Sequence, residues 1–140
     1  MDEVLKLIPQ RPPFLFVDRI VSREDKKIIT EKLVTGEEDF FKGHFPGNPV
    51  MPGVLLSEAT FQSAAALMAG RKGDMSGKVA VVTRINGTKF KNLVRPKDLL
   101  VIEVELMDEL ENACFLKGNI KVNGKTVMSN EFAVALVEAK

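Results

Sequence analysis

The chain has 140 residues, 20 basic and 19 acidic side chains and a net charge of +1, enough length for one domain with a real core and too even a charge balance for a nucleic-acid binder. One cysteine, Cys114, and one histidine exclude an internal disulfide and a Cys-rich zinc site, so neither metal nor cofactor is expected. The start Met-Asp-Glu carries no basic segment followed by an apolar run, and the most apolar stretch, Val54 to Ala69, is too short and too polar on one side to span a bilayer; a cytoplasmic location without membrane insertion is expected.

In chain order, residues 2 to 8 predict a short helix with Val4, Leu5 and Ile8 on one side, ended by Pro9. Phe14 to Val21 and Lys27 to Thr35 read as a hairpin around the polar turn Ser22-Arg23-Glu24-Asp25. Val54 to Ala69, apolar on almost every face, predicts a helix enclosed by other structure, with Gly70 as its C-terminal stop. Lys78 to Asn86 predicts a strand. Two period-two runs follow, Leu100 to Leu106 and Cys114 to Val122, and Asn123-Gly124 then predicts a tight hairpin that lays Val127 to Val137 antiparallel to the strand before it. The sum is an α+β fold, one long buried helix against a curved antiparallel sheet, with residues 1–140 forming a single domain.

The densest chemistry lies between the hairpin and the helix. His44 sits in Gly43-His44-Phe45-Pro46-Gly47-Asn48-Pro49-Val50-Met51-Pro52-Gly53, where three prolines and three glycines in eleven residues enforce an irregular loop. Fourteen positions on is Glu58, the one charged residue between Gly43 and Gly70. A carboxyl isolated among Val, Leu, Ala, Phe and Met is pushed toward its protonated form by desolvation, while imidazole is the side chain that titrates near neutral pH. That is a pairing suited to acid/base chemistry. Gly53 falls just before the helix, where an N-terminal N–H is free and the macrodipole favours a negative oxygen. Gln62 lies one turn beyond Glu58, in position to hydrogen-bond its carboxyl. Lys89, Lys91, Arg95 and Lys97 fall within nine residues without an acid, a solvated face or a patch for an acidic partner.

The run from Gly43 through Val54-Leu55-Leu56-Ser57-Glu58-Ala59 to Gln62 resembles the 3-hydroxyacyl-acyl-carrier-protein dehydratases of fatty-acid synthesis, FabZ type, which have the hot-dog fold. Weaker matches flank it in Pro13 to Arg19 and in Lys89 through Asp98, so the resemblance covers nearly the whole chain. It implies dehydration of 3-hydroxyacyl thioesters on acyl carrier protein to trans-2-enoyl thioesters, with His44 as base, Glu58 as acid, the Gly53 N–H on the thioester carbonyl and Gln62 supporting the acid. Glu rather than Asp at position 58 resembles the dehydratase-only class. The resemblance also implies a homodimer whose active sites take His44 from one chain and Glu58 from the other, three dimers forming a hexamer.

The chain departs from that pattern in places. Gln10 and Pro12 stand where the family has His and Tyr; Val81 replaces a tyrosine of the acyl tunnel, and Lys97 replaces a glycine. Two other readings stay open: a related hot-dog enzyme acting on CoA thioesters by enoyl hydration or hydrolysis, and a non-catalytic acyl-binding subunit. Neither is favoured by a motif. No serine or cysteine nucleophile motif surrounds Ser57, Ser63 or Cys114.

Overall fold

The computed structural model describes residues 2–71 and 78–138. Two helices, a 3-10 turn and six strands follow in order: α1 (Asp2–Leu7), β1 (Arg19–Arg23), β2 (Lys27–Leu33), the 3-10 turn (Asp39–Lys42), α2 (Gly53–Met68), β3 (Lys78–Phe90), β4 (Leu99–Glu109), β5 (Ala113–Val122) and β6 (Lys125–Glu138). All pairings in the one sheet are antiparallel, in the order β1-β2-β4-β5-β6-β3. The expected α+β arrangement of one long helix on a curved antiparallel sheet is what forms.

Strand alternation sends Ile28, Ile102, Val104, Leu116, Ile120 and Met128 inward, all buried, against Leu56, Ala59, Ala64 and Leu67 of α2. Each fully buried Leu, Ile or Met contributes roughly 1.5–3 kcal/mol. The helix comes close to the sheet at Gly118, where a Cβ would strike the Thr60 side chain and Asn130 Oδ1. The buried hydroxyls of Ser63 and Thr30 are paired: Ser63 Oγ donates to Ala59 O at 2.9 Å, which spends its proton, so Thr30 Oγ1 donates to Ser63 Oγ at 2.8 Å. Asn123 and Gly124 both take positive φ (52° and 79°), as the two central residues of the expected hairpin turn between β5 and β6 require.

Three expectations change. The segment Phe14 to Asp18 is not part of the first strand; β1 begins only at Arg19. At Phe14 and Phe16 its backbone is held instead by the side chain of Gln62, which receives the Phe16 N–H and donates to Phe14 O, and only at Asp18 does an N–H reach β2, at Glu31 O; an apolar alternation that resembled a strand belongs to a segment laid along α2. The strand expected to end at Asn86 runs to Phe90, with pairing irregularities at Val82/Arg84 and Asn86/Lys89 that bend it. β3 is also an open edge, exposed at all but two of its thirteen positions. Likewise α2 is not enclosed all round in a single chain: Val54 is 75 % exposed, and Leu55, Phe61, Ala65 and Met68 are half-buried.

α2 ends where Ala69 turns extended (ψ 130°), and Gly70 at φ +77° is the third residue of the turn that follows, closed by Arg71 N–H to Met68 O at 3.0 Å. Arg23 adds a hydrogen bond at 2.7 Å to Ala69 O. Among the described residues no helix is long and apolar enough to cross a membrane.

Candidate active site

His44 projects from the loop between the 3-10 turn and α2. Its backbone N–H donates to Phe40 O at 3.1 Å, tying it to the turn, and its Nδ1 lies 2.7 Å from Val50 O. A carbonyl oxygen only accepts, so Nδ1 must carry a hydrogen, and in the neutral ring the free lone pair is on Nε2. The loop thereby selects the tautomer of a base. The Phe45 ring stacks on the imidazole with centroids 4.2 Å apart, and Phe45 and Gly47 take positive φ (55° and 85°) to close the loop around it.

The far end of the loop is stitched to the β3–β4 connection. Met51 N–H donates to Val94 O at 2.8 Å, and the Arg95 guanidinium donates to Asn48 Oδ1 at 2.9 Å. The four basic residues Lys89, Lys91, Arg95 and Lys97 are all exposed, and Arg95 brings this cluster into contact with the His44 loop. Lys97 has φ +78°, the conformation for which glycine is suited.

Glu58 is half-buried on α2, and burial pushes its carboxyl up from the ordinary range, opposed by a hydrogen bond from Gln62 Nε2 to Oε2 at 3.1 Å. Gln62 is 1 % exposed and fully committed. Its Oε1 accepts the Phe16 N–H at 2.8 Å and its Nε2 donates to Phe14 O at 3.0 Å, so two backbone groups of fixed polarity set the amide orientation. The second Nε2 hydrogen is then available only toward Glu58 Oε2. Because the carbonyl oxygen of a protonated carboxyl is the better acceptor, this bond at Oε2 favours the proton on the other oxygen, Oε1.

Gly53 is the first residue of α2, after Pro52, and a Cβ there would lie 3.0 Å from the Phe90 ring. The helix begins directly against that ring, and no side chain caps it. Within the chain, His44 and Glu58 have separate anchors, Val50 and Gln62, and no hydrogen bond joins them. Val81 is 38 % exposed and shares a cross-strand row with Ala135 and Ala113, whereas Val82 shares one with Val134 and Cys114 and packs on the core. Val81 therefore emerges on the face of the sheet away from α2. Among the described residues no three His, Cys, Asp or Glu side chains are placed to hold a metal ion.

Sequence reasoning passed over Lys32, whose side chain is 7 % exposed and lies beside Glu38 and Asp18. The signal was available: strand alternation places Lys32 in the same inward row as Ile28 and Thr30.

One long helix wrapped by a six-stranded antiparallel sheet, with an acid on the helix and a histidine on the preceding loop, defines a hot-dog protein of the dehydratase kind. The chain belongs to the FabA-like domain family, whose model matches residues 8–131. Among curated relatives, the "3-hydroxyacyl-[acyl-carrier-protein] dehydratase FabZ" of Pediococcus pentosaceus is 41 % identical over 99 % of this chain and 94 % of its own length. The protein of the same name from Caulobacter vibrioides is 43 % identical over 97 % of this chain and 87 % of its own. The dehydratase heterocomplex ApeI:P from Xenorhabdus doucetiae shares the fold with a TM-score of 0.83 at 13 % identity, covering 96 % of this chain and 91 % of that one.

Proposed function

We propose that this protein is a 3-hydroxyacyl-acyl-carrier-protein dehydratase of fatty-acid biosynthesis, acting on (3R)-3-hydroxyacyl thioesters to give trans-2-enoyl thioesters and water. The observation that carries it is identity of 41 % or more to proteins of that name over nearly the full chain. Residues 1–140 act as one catalytic domain, in the cytoplasm, without a cofactor.

His44 is the base. With Nδ1–H committed to Val50 O, Nε2 removes the proton from C2, next to the thioester carbonyl. Charge that develops on the carbonyl oxygen is met by the free N–H of Gly53 at the start of α2. Glu58, whose carboxyl burial pushes toward the protonated form, delivers its proton to the 3-hydroxyl as the C3–O bond breaks. The C2–H and C3–O bonds are lost, the C2=C3 bond forms and water departs. The imidazolium and the Glu58 carboxylate then exchange a proton to reset.

The site is shared between two chains. Separate anchoring of His44 and Glu58, an open β3 edge exposed along most of its length and an exposed Val54 beside Gly53 support a second copy of this chain pairing there, and three such dimers form the hexamer. The carrier docks by its acidic surface on Lys89, Lys91, Arg95 and Lys97, a patch tied through Arg95 and Asn48 to the loop of the base.

Ultraviolet detection of enoyl formation and hydration, with acyl chains of several lengths on carrier protein and on CoA, tests the reaction and its handle. Activity on CoA thioesters alone would replace the carrier in this reading. Mixing His44→Ala with Glu58→Gln chains after dissociation should restore part of the activity; demonstrated mixed dimers without rescue would contradict the shared site.

A further inference from the structure

A lysine buried under the end of a sheet needs a reason, because an ammonium without partners is strongly disfavoured there. Lys32 is the last inward-facing residue of β2, in the same row as the fully buried Leu100. Its Nζ lies 3.4 Å from Glu38 Oε2 and 3.9 Å from Asp18 Oδ1. Both carboxylates are also bound to backbone: Asp18 Oδ2 accepts the Leu33 N–H at 2.8 Å, Glu38 Oε2 the Thr35 N–H at 3.0 Å and Glu38 Oε1 the Gly36 N–H at 2.9 Å. Desolvation pushes the Glu38 carboxyl up, but those N–H groups and the Lys32 ammonium outweigh it and hold the group below its ordinary range.

Glu38 is also the residue from which the 3-10 turn starts. Its carbonyl accepts the Phe41 N–H at 3.1 Å, and one turn later Phe40 O accepts the N–H of His44. The path from the buried ammonium to the imidazole is thus one ion pair, one carboxylate that accepts the backbone N–H groups of Thr35 and Gly36, and a single 3-10 turn. On its other side the same stretch is fastened to the β3–β4 connection, by Val34 N–H to Asp98 O at 2.9 Å and by Lys97 N–H to Val34 O.

We propose that Lys32 is a positioning residue for His44: it clamps Glu38, and through the 3-10 turn fixes the place and tautomer of the imidazole. The role rests on the base assigned to His44 above. Without the ammonium, Glu38 keeps the Thr35 and Gly36 N–H groups but loses its counter-charge, so the part-buried carboxylate draws in water or turns outward, the turn loosens, and His44 Nδ1 loses its fixed distance to Val50 O.

His44 is the only histidine in the sequence, so its ring gives a single pair of 15N signals in histidine-labelled protein. In the intact full chain the pair should report hydrogen on Nδ1. In Lys32→Met the two signals should move toward an average of the two tautomers, while kcat for enoyl hydration falls about ten- to a hundredfold and KM changes by less than about threefold. Glu38→Gln, which keeps a carbonyl acceptor and loses the ion pair, should shift the same signals in the same direction and serves if Lys32→Met does not fold. Adding Lys32→Met to Glu38→Gln should cost little more than Glu38→Gln alone, because the two act as a unit. Ring signals unchanged in both single variants, or fully additive losses of kcat, would overturn the proposal. A wild-type chain with the expected ring signals but no enoyl hydration would instead remove the functional reading and leave the clamp standing.

Discussion

Gln62 Nε2 donates to Glu58 Oε2 at 3.1 Å while the same amide grips Phe14 O and the Phe16 N–H, so the acid and the N-terminal segment are held by one side chain. Replacing Gln62 with Met keeps the bulk and removes all three bonds. Leaving a buried group unsatisfied costs about 1–3 kcal/mol, so the variant should lose a few kcal/mol of stability in denaturant titration. The hydrogen bond from Gln62 lowers the Glu58 pKa, and its loss lets burial raise that pKa further. The acid stays protonated to higher pH, so the alkaline limb of the pH–rate profile governed by Glu58 should move up in Gln62→Met. A limb that stays in place would show that Gln62 does not act on the acid.

Glu58→Gln separates stability from activity. A carboxyl whose folded pKa is raised contributes stability in full below its unfolded pKa, near 4.3, and loses it as pH rises through the folded value. At neutral pH the wild-type chain therefore bears the cost of a buried ionising group that the neutral amide avoids. Glu58→Gln should have the higher Tm at pH 7, the gap should close on acidification to about pH 4, and dehydration should fall ~100- to 10,000-fold. An equal or lower Tm at pH 7 would mean the carboxyl is not disfavoured by its surroundings.

Spacing alone made part of this legible. Glu58 and Gln62 are four apart on a helix, and helices bring such pairs together wherever the helix sits. The His44 loop was recognisable from Pro and Gly density, yet its tautomer was not, because that depends on where Val50 O lands after the loop closes. Phe14 to Asp18 misled for a related reason: alternation of apolar residues records one buried face, and a segment on a helix buries one face as a strand does. What distinguished the two was a side chain 46 residues away taking the hydrogen bonds that a neighbouring strand would otherwise take. Lys32 was hidden by residue type, since lysine in a strand is ordinarily exposed, and only its row with Ile28 and Thr30 argues otherwise.

Lys97 stands at φ +78° between Arg95 and Asp98, whose side chain accepts the Arg95 N–H at 2.9 Å to close the turn. A residue with a Cβ in the left-handed region costs roughly 1–2 kcal/mol, part of which glycine returns through its freer unfolded chain. Lys97→Gly should raise stability by about 0.5–1 kcal/mol. If Lys97 takes part in carrier docking, the same variant should raise KM for carrier-bound substrate while leaving kcat on a short CoA thioester unchanged. A lower Tm would contradict the left-handed turn, and an unchanged KM would remove Lys97 from the docking patch.

Val81 and Val82 test on which face of β3 the acyl chain runs. Val81 shares its row with Ala135 on the face away from α2, and Val82 packs beside Val134 on the core side, so the two substitutions probe opposite faces of one strand. Val81→Tyr adds a ring to an exposed position without displacing a core atom, and stability should change by no more than about 0.5 kcal/mol. If a second copy pairing at the β3 edge brings the acyl passage to this face, the ring narrows it. Apolar walls discriminate by ~1–3 kcal/mol per methylene-sized change, so the result is a graded shift in kcat/KM, with long chains disfavoured relative to short ones. Val82→Phe, overpacking the core side, should cost stability by about 1–3 kcal/mol. Measured across a series of acyl lengths, an unchanged profile in Val81→Tyr together with a shifted one in Val82→Phe would move the passage to the helix side of the sheet and take Val81 out of the site.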